Sequence, residues 1–93
     1  MVIRVTQEDI VSGKRGNCRL CPVALAVKRA MPSAEDVRVL PGLIWFSSTE
    51  QDRWTSAMVA ESVGDFIFNF DNFGSSKVKP FEFWLAVKVK QVK

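Results

Sequence analysis

The chain has no histidine and no tyrosine, and only two of its 93 residues are cysteine. Histidine is the commonest general base and metal ligand. Its absence removes Ser-His-Asp triads, HExxH zinc sites and His-activated cysteine nucleophiles from the chemistry available. Two cysteines make at most one disulfide, and in a chain read as cytoplasmic they are expected as reduced thiols. Long apolar runs are also missing. Nothing approaches the ~20 residues needed to cross a bilayer, and the opening MVIRVTQEDI has no basic segment leading into an apolar one. The chain is therefore expected in the cytoplasm, with no membrane partner and no cofactor.

What is present fits one α+β domain over residues 1–93. The composition is 47% hydrophobic and 25% charged, and a domain of this size buries roughly 60 to 65% of its unfolded surface. The net charge of +3 conceals a segregation: residues 1–34 carry six bases against two acids, 35–71 two against seven, and 72–93 five against one. If the two ends of the chain lie side by side, one face of the molecule is basic.

Local patterns give the elements. Val2-Ile3-Arg4-Val5 reads as a strand. Thr6-Gln7-Glu8-Asp9 has the form of a helix capping box, with Gly13 as the stop. Pro22 fits the first turn of a second helix beginning near Leu20 or Cys21. Leu20, Val23, Ala24, Val27, Ala30 and Met31 share its apolar face, Lys28 and Arg29 lie in its last turn, and Pro32 ends it. Val37–Leu40 and Leu43–Phe46 flank Pro41-Gly42 as a hairpin. Ser48 or Thr49, with Gln51 or Asp52, is expected to cap a third helix with Val59, Val63, Phe66, Ile67 and Phe70 on one face. Phe81 to Lys90 alternates as a strand. The order is β-α-α-β-β-α-β, a mainly antiparallel sheet with helices packed on one face.

Three stretches carry candidate chemistry. Cys18 and Cys21 form a C-x-x-C that suits a redox pair or half of a zinc site, although zinc requires four ligands and no second pair or histidine supplies them. A thiol at a helix N-terminus near Lys14, Arg15 and Arg19 is expected to have a lowered pKa. The balance of readings favours small apolar thiols packed at a helix entrance. The loop Ser12-Gly13-Lys14-Arg15-Gly16-Asn17 feeds that helix and is a candidate anion cradle without being a P-loop. On the last strand, Trp84, Lys88 and Lys90 share the face opposite the core with Glu82. That face suits stacking on a base and contact with phosphate, and it equally suits lysines guarding a sheet edge. The carboxylates Asp52, Glu61, Asp65 and Asp71 are spread and solvated, and no nucleophile-base-orienter set is present, so the chain is expected not to be an enzyme.

Val5-Thr6-Gln7-Glu8-Asp9-Ile10, Gly13, and Cys18-x-x-Cys21-Pro22-Val23-Ala24-Leu25-Ala26 resemble a group of small uncharacterised proteins of tailed bacteriophages. These open Thr-x-x-His-Ile-x-x-Gly and continue with a Cys-x-x-Cys-Pro-[Ile/Val]-Ala-Leu-Ala helix. Phe66-Ile67-x-x-Phe70-Asp71 and Pro80-Phe81-x-Phe83 extend the resemblance over most of the chain. Asp9 stands where histidine is common in the group. The resemblance implies a phage or prophage accessory protein in the bacterial host cytoplasm, acting by binding. The expected partner is a host protein or other macromolecule, or a signalling nucleotide, in an anti-defence role. A nucleic-acid-binding module and a thiol or metal site at Cys18 and Cys21 are the alternatives, and the oligomeric state is left open.

Overall fold

The computed structural model describes residues 2–32, 34–40, 42–48 and 53–85. Among the described residues the fold is α+β, with three α-helices and two antiparallel sheets. The elements are β1 (Val2–Val5), α1 (Gln7–Ser12), α2 (Pro22–Ala30), β2 (Ala34–Leu40), β3 (Leu43–Ser48), β4 (Arg53–Met58), α3 (Glu61–Phe73), a 3-10 turn (Ser75–Lys77) and β5 (Phe81–Trp84).

The expected capping box forms. The Thr6 hydroxyl accepts from the Asp9 amide at 3.3 Å, and Asp9 Oδ2 accepts from the Thr6 amide at 2.9 Å. Gly13 closes α1 by donating to the Asp9 carbonyl at 2.8 Å. Its backbone is extended, with φ −69° and ψ 153°, so this glycine is not needed for a left-handed cap. It is needed for space, because a Cβ there would lie 2.5 Å from Pro22 Cδ. Pro22 occupies the first turn of α2, and Val23, Ala24 and Val27 are fully buried. Ala26 joins them, whereas Ala30 is exposed. The buried arc therefore sits slightly off the expected stripe.

The chain termini of the described fold meet in one sheet. β1 pairs antiparallel with β5, placing Val2 opposite Trp84 and Arg4 opposite Glu82. Ile3, Val5, Phe83 and Leu85 turn inward, while Arg4, Glu82 and Trp84 face out. The second sheet runs β2-β3-β4. Its first hairpin turns at Gly42, whose φ of +93° is a conformation that glycine tolerates without strain. Val37, Val39, Ile44, Phe46 and Ala57 point from this sheet into the core. Helix α2 packs on both β1 and β2, and so joins the two sheets.

The third helix is shorter than expected, and a strand precedes it. β4 pairs with β3 along its whole length, from Leu43 opposite Met58 to Ser48 opposite Arg53. Ser48 ends β3 instead of capping a helix, and Thr49, Gln51 and Asp52 lie outside the described residues. α3 begins at Glu61 after Ala60, with no side-chain cap. Val59 and Val63 are four residues apart, a spacing that suits a helical turn and equally an alternating strand. Neither lies in β4, and Arg53–Met58 is a strand because its pairing partner, β3, lies elsewhere in the chain. The helical reading holds from Val63 onward, where Val63, Phe66, Ile67 and Phe70 are buried on one face.

Candidate functional site

The cationic loop is built by local turns and then fastened to the body. Asn17 Oδ1 accepts from the amides of Arg19 and Leu20 at 3.0 and 3.1 Å, a side-chain-stabilised turn that sets Cys18 and Cys21 around it. The Cys18 carbonyl accepts from the Val39 amide at 2.8 Å, fixing the turn to β2. Arg15 donates through Nε and a terminal nitrogen to the Asp71 carbonyl at 3.0 and 2.9 Å, and the Gly16 amide donates to Asp71 Oδ1 at 2.9 Å. A guanidinium on a last-turn carbonyl of α3 suits the negative end of that helix. Arg19 pairs with Asp36 at 3.2 Å, and Lys28 donates to the Arg19 carbonyl at 2.9 Å. Much of the loop's positive charge is thus met by the chain's own acceptors. Lys14 is exposed, and its ammonium has no partner among the described residues.

Cys21 is the N-cap of α2. Its Sγ accepts from the Ala24 amide at 3.4 Å, and the side chain is buried. The lowered thiol pKa expected here does not hold for Cys21. Burial pushes it up, the amides of Ala24 and Val23 only partly oppose that, and the nearby Asp71 carboxylate and Cys18 add to the rise. Cys18 is half-buried, and both thiols are free. They line one cavity of about 190 Å³ with Val39, Leu40, Ile67 and Asp71. No group of three or more cysteine, aspartate or glutamate side chains among the described residues is placed to hold a metal ion.

A larger cleft, of about 340 Å³, lies between α3 and the segment leading into β5. Ser62, Asp65 and Asn69, at successive helical turns, form one wall; Lys77 and Lys79 stand on the other. The base is aromatic: Phe66 and Phe81 meet with ring centroids 4.6 Å apart, and Phe81 continues to Phe83 at 5.8 Å. No hydrogen bond or ion pair ties the side chains of Ser62, Asp65, Asn69, Lys77 or Lys79 to another described residue. The cleft is open and shallow: Ser62, Asp65, Asn69, Lys77 and Lys79 are all exposed around the Phe66–Phe81 contact, so it is a surface depression with an aromatic floor and polar groups on both sides. None of its polar residues was singled out in the sequence as a binding residue. The signal was the interleaving of Lys77, Lys79 and Phe81 across a proline, which becomes informative once α3 lies opposite.

Trp84 is 66% exposed on the outer face of the β1-β5 sheet, beside the exposed Arg4–Glu82 pair at 3.2 Å. Lys88 and Lys90 lie outside the described residues. The loop of Lys14, Arg15 and Arg19 is fastened to Asp71 and Asp36, while Trp84 stands across from Val2, so the sequence candidates occupy two separate settings.

No helix among the described residues is long and apolar enough to cross a membrane. Searches of family models, curated proteins and solved structures return no match to the chain.

Proposed function

We propose that the chain is a phage or prophage accessory protein that works by binding a nucleotide in the cleft between α3 and Lys77–Phe81. The observation that carries this reading is the pairing of two unengaged lysines with an aromatic floor in a cleft of about 340 Å³. Lysine ammonium groups attract phosphate, a half-buried phenyl ring accepts a stacked base, and Ser62, Asp65 and Asn69 supply hydrogen-bonding groups for the base or sugar. Binding a host signalling nucleotide in this way would sequester it, which suits a role against host defence. Titration of the protein with purine and pyrimidine nucleoside triphosphates, followed by calorimetry, tests the reading. Saturable binding is expected, weakened about tenfold or more in the Lys77→Ala/Lys79→Ala variant and weakened by added salt. No binding by any nucleotide, or binding indifferent to both lysines, would overturn it.

A second reading is favoured by the exposure of Trp84. An indole on an open sheet face, followed by the lysine-rich end of the chain, suits stacking on a single nucleic-acid strand. A labelled oligonucleotide should then bind with a steep salt dependence and lose affinity in Trp84→Ala. Oligonucleotide binding that persists unchanged in Trp84→Ala counts against it.

A further inference from the structure

We propose that Cys18 and Cys21 form a two-coordinate site for a soft monovalent metal ion of the copper(I) and silver(I) class. Both thiols are free, and both line the same cavity of about 190 Å³. Its other walls include the aliphatic side chains of Val39, Leu40 and Ile67, and one carboxylate, Asp71. Thiolates select soft ions, and hard cations such as calcium and magnesium demand six or more oxygen ligands that one carboxylate cannot supply. Structural zinc needs four ligands, and the described residues offer no group even of three. A pair of sulfurs in a largely apolar cavity suits an ion that is content with two.

The two sulfurs are held by separate supports. Cys18 is anchored through its carbonyl on the Val39 amide of β2 and through the turn that Asn17 stabilises. Cys21 is fixed by Pro22 at the start of α2, and its Sγ already accepts from the Ala24 amide. That hydrogen bond is the kind of supporting contact that orients a metal ligand. Asp71 is held by the Gly16 amide at the edge of the same cavity, and because two thiolates and one monovalent ion leave the site with a net charge of −1, its carboxylate opposes binding. Binding replaces one proton on each sulfur by the metal: two S–H bonds break, two metal–sulfur bonds form, and two protons leave to solvent. No oxidant or reductant takes part.

The test is an anaerobic competition in which copper(I) is presented as its complex with a coloured chelator. The wild-type protein is expected to withdraw one equivalent per chain, and Cys18→Ser, which keeps the backbone anchor on Val39, to bind at least about 100-fold more weakly. A thermal melt adds a readout that an unstructured pair of thiols would fail. Binding to the folded state should raise the Tm of wild type by about 4 °C or more, and that of Cys18→Ser hardly at all. Failure to withdraw copper, an unchanged equivalent in Cys18→Ser, or a Tm lowered by copper(I) would each overturn the proposal. If Cys18→Ser does not fold, X-ray absorption of the wild-type complex decides: two sulfur neighbours are expected, and three or more ligands overturn it.

Discussion

Single residues in this chain often serve two elements at once, and Gly13 is the clearest case. As the residue after α1 it closes the helix, and as a residue without a Cβ it lets Pro22 pack against the same backbone. Because its φ is −69°, an alanine would suffer no backbone strain there, and reduced freedom of the unfolded chain would favour it by about 0.4 to 1 kcal/mol. The collision with the Pro22 ring decides otherwise. Neither the ring nor the α2 backbone behind it can rotate away, and overpacking of this kind costs about 1 to 3 kcal/mol. Gly13→Ala is expected to lower stability on balance, measured by chemical denaturation; a gain would show that the loop between α1 and α2 moves freely.

At the scale of elements, α3 shows how unequal neighbouring positions can be. Phe66 is 8% exposed and packs against Phe70 and Phe81, whereas Phe68, two residues on, is 62% exposed and meets only Phe73 among described rings. Phe66→Ala should cost about 3 kcal/mol or more in a denaturant melt, and Phe68→Ala less than about 1 kcal/mol. Equal losses would contradict the observed face of the helix. Those faces were legible in the sequence because helical spacing within one segment is a local signal, as were the Thr6–Asp9 box, Pro22 and the alternation from Phe81 to Leu85. β4 was not legible: Arg53–Met58 falls inside the stretch expected to begin the third helix, and the residues that settle the matter are its partners on β3, such as Leu43 opposite Met58. The fastening of Arg15 to Asp71 spans 56 residues and leaves no trace in local pattern. The same holds for the cleft, whose two walls come from α3 and from the segment after it. The Cys-x-x-Cys was visible at once, but its burial and shared cavity depend on β2 and α3 closing over it.

Across the whole molecule, Asp9 and Arg29 form the joint that gathers β1, α1 and α2. Asp9 is 4% exposed and receives the Arg29 guanidinium at 2.7 and 2.8 Å, while Arg29 also donates to the Arg4 carbonyl at 2.9 Å. Burial alone would raise the Asp9 carboxyl, but the Arg29 hydrogen bonds, together with those from the Thr6 amide and hydroxyl, outweigh it and hold the group below its ordinary value of 3.8. A carboxyl that is more acidic in the folded state contributes stability that is present above its unfolded pKa. That contribution is lost as pH falls through the folded value. Arg29 is shifted upward by the same contact, so its contribution would fade only at strongly alkaline pH. Asp36 is also held low, chiefly by Arg38 and further by Arg19, but it is exposed and screened by solvent, so the acid sensitivity should centre on Asp9. Denaturation of wild type and Asp9→Asn at pH 7, 5 and 3 separates the two contributions. At pH 7 the variant should be less stable by about 1 to 3 kcal/mol, because it leaves a charged hydrogen-bonding partner unmatched. The gap should persist at pH 5 and narrow at pH 3, where wild type begins to lose what the variant never had. A gap constant down to pH 3 would mean that protonation of Asp9 does not govern the acid response of the fold.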